Sequence, residues 1–240
     1  MATRLEQNYY DIKLAIKEAA QSAGRDPEDV ALVAVSKTVG EDAIEAAIRL
    51  GITDFGENRA AALKTRQQKF AQQRWHFIGR IQTNKLKDYV GKVKLIHSVA
   101  SEHALSAIDR RATTLALVQP VLIEVNVSGE QSKDGIAPKE LAPLLEAAVS
   151  MTGVAVRGLM TMAPLTAALL DSADRGAGRS ADDARRCFAD LKELRDETAA
   201  SFTGAHAIEL SELSMGMSND FELAVAEGAT IVRIGRRLWE

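Results

Sequence analysis

A parallel α/β barrel is the fold class this sequence predicts. Short apolar runs alternate with stretches of helical period from one end of the chain to the other. Eight such runs can be counted, the number that closes a barrel. No Pro/Gly-rich linker divides the chain, and 240 residues is close to the usual size of one barrel. A single domain spanning residues 1–240 is therefore expected. A doubly wound open sheet shows the same alternation and is the competing architecture.

The elements follow in order. Residues 4–22 carry Leu5, Tyr9, Ile12, Ile16 and Ala19-Ala20 near helical period and stop at Ala23-Gly24, which predicts an extra leading helix. Asp26-Pro27 then turns the chain into the first strand, Ala31–Lys37. A short amphipathic helix at 41–50 ends at Gly51, and Ile52–Phe55 is the second strand. Residues 58–73 are helical by propensity. Trp75–Ile78 and Lys94–Ser98 are strands three and four, with a short helix at 84–90 between them and another at 102–114 after them. The fifth strand, Val121–Val127, has the clearest pattern, and a polar loop at 128–138 leads to a helix at 139–150. Val154–Leu159 is the sixth strand. Residues 166–180 are expected to be a mobile loop before a long helix at 181–200. The seventh strand is placed at Ile208–Ser211, where the pattern is weak. A helix at 217–227 and the eighth strand, Thr230–Ile234, complete the set. The chain stops soon afterwards, so the leading helix is one candidate to cover strand eight.

Composition removes several classes of function. The chain is 46% hydrophobic and 26% charged with net charge −3, so it has no basic footprint for nucleic acid. A single cysteine, Cys187, excludes an intrachain disulfide and a multi-cysteine metal site. The four histidines lack metal-ligand spacing, so no metal is expected. No apolar run reaches the roughly 18 residues that suggest a membrane span, and the polar start is unlike a signal peptide. A cytoplasmic, monomeric protein is expected.

A barrel builds its site at the C-terminal ends of its strands. Strand one ends in Ser36 and Lys37. An ammonium there either snorkels to water or sits desolvated in an apolar mouth as a nucleophile toward aldehydes. The other strand ends bring Asn58, His76, Met160 and Ser214, then Gly216, Met217 and Ser218, and finally Arg233 and Gly235. His76 on an apolar strand also suits a hydrogen-bonded core histidine, and Met160 suits packing. Ser214-Met-Gly-Met-Ser218 is small, hydroxylated and followed by a helix, a setting that binds phosphate, though either serine could simply satisfy its own helix. A lysine and a phosphate cradle together suit a phosphorylated aldehyde such as pyridoxal 5′-phosphate (PLP). Arg233 would then donate to the pyridine nitrogen and weaken the ring as an electron sink. Otherwise it would pair with a carboxylate such as Glu209 or Glu57.

Seven stretches together resemble the YggS/PROSC family of PLP homeostasis proteins. They are Ala34-Val-Ser-Lys37, Phe55-Gly-Glu-Asn58, the run from His76 to Lys85, Asn126 to Lys133, Gly158 to Ala163, Ser214 to Ser218, and Val232-Arg-Ile-Gly235. The resemblance covers nearly the whole chain in order. It implies a barrel similar to the N-terminal domain of alanine racemase, with PLP in Schiff-base linkage to Lys37. It further implies phosphate held around Ser218 and Gly235, and Arg233 facing the ring nitrogen. Two departures stand out: Arg236 where the family commonly has a small hydroxyl residue, and Trp239-Glu240 where an aromatic-glycine pair usually follows strand eight.

The resemblance implies a PLP carrier or buffer in vitamin B6 homeostasis, without established catalysis, whose partners would be apo forms of PLP-dependent enzymes. The alternatives are a PLP-dependent racemase or decarboxylase on the same barrel, and a phosphate-sugar aldolase using Lys37. Racemases and decarboxylases of this type add a second β domain, for which 240 residues leave no room.

Overall fold

A computed structural model describes residues 3–130, 133–164, 180–202 and 208–240. Eight parallel strands close into a barrel in sequence order, which excludes the open sheet. They are β1 (Ala31–Val35), β2 (Asp54–Glu57), β3 (Arg74–Phe77), β4 (Leu95–Val99), β5 (Gln119–Glu124), β6 (Val154–Met160), β7 (Glu212–Ser214) and β8 (Ile231–Ile234). The closing pair is β1 with β8, in register from Ala31 opposite Ile231 to Ala34 opposite Ile234.

Among the described residues the helices are α1 (Arg4–Ser22), α2 (Glu41–Arg49), α3 (Ala60–Lys69), α4 (Leu86–Tyr89), α5 (Glu102–Thr114), α6 (Leu141–Val149), α7 (Ala181–Ser201), α8 (Phe221–Ala226) and α9 (Arg236–Trp239). The leading helix has the expected bounds because its ends are chemically marked. Thr3 and Glu6 form a capping box, and the chain turns at Ala23 and Gly24. Its Ile12 and Ile16 are fully buried, on the order of 1.5–3 kcal/mol each.

Three sequence expectations change. The seventh strand is Glu212–Ser214, not Ile208–Ser211. With three residues and a single apolar side chain, Leu213, packed in the core between barrel and helices, it carries no periodic signal. The helix expected at 217–227 begins only at Phe221, since residues 218–220 form a turn. The cover over β8 comes from α1 together with α9, a helix the sequence reading lacked: Asn8 Nδ2 donates to Leu238 O at 3.2 Å, and Trp239 Nε1 donates to Val35 O at 2.7 Å. The loop expected at 166–180 lies outside the described residues except for Ser180, which caps α7. No described helix is long and apolar enough to cross a membrane.

The pleat divides the strands' side chains into two sets. Ala34, Phe55, Trp75, Phe77, Ile96, Ile123, Leu159, Leu213, Val232 and Ile234 face the helices in one large core. Val33, Leu95, Leu122, Met160 and Ile231 fill the barrel interior as a separate cluster. The rest of that interior is polar.

Candidate functional site

The loops past the C-terminal ends of the strands enclose a cavity of about 410 Å³. Of the ten residues singled out from the sequence, Lys37, Asn58, Met217, Ser218, Arg233 and Gly235 line it. Lys37 lies two residues past β1 and is exposed, on the rim rather than enclosed in an apolar mouth. Asn58 follows β2, and its Oδ1 is buried without a hydrogen-bond partner. Gly79 lets the two strand ends meet beside it: a Cβ there would lie 2.0 Å from Asn58 O.

Ser218 does not cap its own helix. Its Oγ accepts from the backbone N–H groups of Gly235 at 3.2 Å and Arg237 at 3.3 Å, tying the loop after β7 to the loop after β8. The serine oxygen thus occupies two backbone donors at the loop where the sequence places a phosphate. Asp220, absent from the sequence reading, takes the Met217 N–H at 2.6 Å and so shapes the same loop. Arg236 lines the cavity too, adding a cation where a small hydroxyl was the family expectation.

The other four residues lie elsewhere. Gly216 adopts φ +90°, and a Cβ there would meet Ala224 Cβ at 2.6 Å, so this glycine lets the loop pass close to α8. Met160 belongs to the apolar interior of the barrel, and Met162, two residues on, reaches the cavity instead. Ser214 is fully buried beneath Arg233 and accepts from its Nη1 at 2.6 Å. His76 is deeper still, between Asp54 and His97.

Arg233 is 5% exposed and lines the cavity floor. The carboxylates suggested as its partners are taken: Glu209 pairs with Arg157 at 2.6 Å, and Glu57 pairs with Arg66. Arg233 bonds Ser214 Oγ and, through Nη2, Thr161 O at 3.0 Å. Burial pushes its pKa down to about 10, partly offset by the charges of Asp220 and Glu124, so it stays cationic at neutral pH.

Glu124, at the end of β5, is a further titratable group the sequence reading passed over. Burial and the nearby Asp134 raise its pKa from 4.5 to about 7. A proton held more tightly in the folded state means stability that is full below about pH 4.5 and falls as pH rises toward 7. That difference corresponds to on the order of 3 kcal/mol as an upper bound. Glu124→Gln should therefore raise the melting temperature at pH 8 and leave it nearly unchanged at pH 4. Equal shifts at both pH values would show that ionisation of this carboxyl is not what costs stability.

The family model for the N-terminal domain of alanine racemase matches residues 11–239. A pyridoxal phosphate homeostasis protein of Aquifex aeolicus is 41% identical over 226 residues, 93% of this chain and 92% of that protein. The structure of PipY from Synechococcus elongatus PCC7942 with PLP bound is similar at TM-score 0.77 and 31% identity, covering 94% of this chain and 100% of PipY. An alanine racemase of Clostridium difficile 630 aligns at TM-score 0.69 and 15% identity over 98% of this chain and 56% of the racemase, a likeness of fold alone. The sequence resemblance and these comparisons agree: the chain belongs to the YggS/PROSC family of pyridoxal phosphate homeostasis proteins, built on the alanine racemase N-terminal barrel.

Proposed function

We propose that this protein binds PLP at the cavity above the barrel and serves as a cytoplasmic, monomeric carrier or buffer of PLP for apo-enzymes, without turnover of its own. The observation that carries the reading is the gathering in one cavity of an amine, a buried guanidinium and a serine, Ser218, beside the Gly235 backbone N–H that donates to it. PLP has a matching aldehyde, ring nitrogen and phosphate. The homeostasis role named for the Aquifex relative and the PLP bound to PipY support it.

When bound, PLP supplies an aldehyde for an amine and a ring that draws electrons from it. In this reading Lys37 offers the amine. Gly235, Met217 and Ser218 hold the phosphate, and Arg236 adds charge beside it. Asn58 offers its unpartnered Oδ1 to a donor. Arg233 donates to the ring nitrogen and, remaining cationic, keeps it unprotonated.

Racemisation needs an acid/base on each face of the bound amino acid. Lys37 could serve one face. Among the described residues lining the cavity there is no histidine, tyrosine, cysteine or glutamate. The one carboxylate there, Asp220, is engaged with the Met217 N–H. His76, the substitute considered from the sequence, is buried below the cavity. The test is deuterium exchange at Cα of alanine or serine during long incubation with the PLP-loaded protein, run beside transfer of PLP to an added apo-enzyme. Transfer without exchange is expected. Exchange that depends on Lys37 and exceeds many turnovers per site would make this chain a racemase-like enzyme.

A further inference from the structure

Beneath the cavity, a row of buried polar side chains crosses the barrel interior from its N-terminal end to Arg233. Asp54 begins β2, and its Oδ1 lies 3.1 Å from His76 Nε2. His76 Nδ1 lies 2.8 Å from His97 Nε2, and His97 Nδ1 lies 2.8 Å from Ser214 Oγ. Ser214 Oγ accepts from Arg233 Nη1 at 2.6 Å. His76, His97 and Ser214 are at most 1% exposed, so water does not supply alternatives. The five residues come from β2, β3, β4, β7 and β8.

We infer that Asp54, His76, His97 and Ser214 form a one-way hydrogen-bond relay that positions Arg233 in the floor of the cavity. Both ends fix its direction. A guanidinium only donates and an ionised carboxylate only accepts. Ser214 Oγ therefore accepts from Arg233 and passes its own proton to His97 Nδ1. His97 must donate from Nε2 to His76 Nδ1, and His76 must donate from Nε2 to Asp54. The reverse order would set a bare histidine nitrogen against a carboxylate oxygen.

The charges around the row agree with that assignment. Burial raises the Asp54 carboxyl, but hydrogen bonds from His76 and Arg74 and the charge of Lys94 outweigh it and hold the group well below the usual carboxylate range. Burial pushes His76 down against the pull of Asp54. It pushes His97 well down, helped by His76, Arg233 and Lys94. Two neutral rings thus lie between an anion at the foot of the barrel and a cation at its mouth. Among the described residues no carboxylate is in ion-pair contact with Arg233; the charges of Asp220 and Glu124 act on it from nearby, and Asp54, paired with Arg74 and Lys94, is joined to it only through four hydrogen bonds. Two of the five N–H groups of Arg233 are held by Ser214 and Thr161, which fixes the plane of the guanidinium.

The relay's bearing on the ligand rests on the reading that Arg233 faces the PLP ring nitrogen, so the experiment has one arm with no PLP. Imidazole nitrogen NMR of the PLP-free full chain between pH 6 and 8 should show both rings neutral, each protonated on Nε2. A proton on Nδ1 of either ring, or titration of either within that range, would overturn the relay. In the second arm, His97→Phe should weaken PLP binding about tenfold, with partial recovery in His97→Gln, which keeps a donor and an acceptor. In an Arg233→Gln background the same substitution should change binding less than twofold. An equal loss in both backgrounds would mean that His97 acts on the fold and not through Arg233. A wild-type protein that takes up no PLP would end the proposed function while leaving the NMR arm to decide the relay, as it would if His97→Phe failed to fold.

Discussion

Replacing Lys37 with alanine is expected to abolish covalent PLP uptake and leave the fold intact. The two outcomes separate because the side chain does one thing and not the other. Lys37 is exposed on the cavity rim and takes part in no hydrogen bond or ion pair among the described residues. An exposed side chain without partners changes stability by no more than about 0.5 kcal/mol when truncated. The amine itself has no substitute, since among the described residues no other lysine lines the cavity. Incubation with PLP should give the wild type a visible absorption band, and borohydride should fix one PLP to the peptide containing Lys37. Lys37→Ala should show neither at an unchanged melting temperature. Lys37→Arg, which keeps the charge and loses the nucleophile, should behave like the alanine variant. Adduct at wild-type stoichiometry in Lys37→Ala would place the reactive amine elsewhere and remove this cavity from the proposed function.

The barrel was legible because buried parallel strands are short apolar runs, and seven of the eight expected runs overlap observed strands. The exception, β7, is too short to have a period. For the site, the rim was legible and its depth was not. Lys37, Asn58, Ser218 and Gly235 lie at or past strand ends, where position along the strand is enough to predict the mouth of the barrel. Met160 against Met162, and Ser214 against Ser218, differ by which side of the rim each side chain occupies, and that depends on where each strand stops. His76 and His97 looked like isolated histidines because their partnership exists only across the barrel, over 21 residues of sequence. Asp54 read as an ordinary strand residue, since the cations beside it are distant in sequence: Arg74 begins β3 and Lys94 immediately precedes β4.

Arg66 was the least legible of these residues, and its removal carries the largest expected loss of stability. In the sequence it is one of several cations on a polar helix, which reads as a solvated face. In the fold it points from α3 to the loop after β1. Its Nη1 pairs with Glu57 and donates to Ser36 O at 2.6 Å and Ser36 Oγ at 2.7 Å, while Nη2 donates to Val39 O at 2.8 Å. These bonds bracket Lys37 and Thr38, so one guanidinium holds both ends of the segment that presents the amine. Glu57 is 1% exposed in its side chain and also accepts from the backbone of Asn58 at 2.8 Å. Arg66→Met would leave that carboxylate buried without its cation and remove the guanidinium donor from the Val39 carbonyl, while Ser36 O keeps the Val39 N–H at 3.1 Å, a loss of about 3–5 kcal/mol. For a chain of this size that is a fall in melting temperature of roughly 10 °C. PLP capture by Lys37 should slow as well, because the amine would no longer be held over the cavity. The double variant Glu57→Leu with Arg66→Met should recover part of the stability, since the buried charge is gone, but not the capture rate. If Arg66→Met melts within 1 °C of wild type, the ion pair does not brace this loop, and the position of Lys37 must be set by β1 alone.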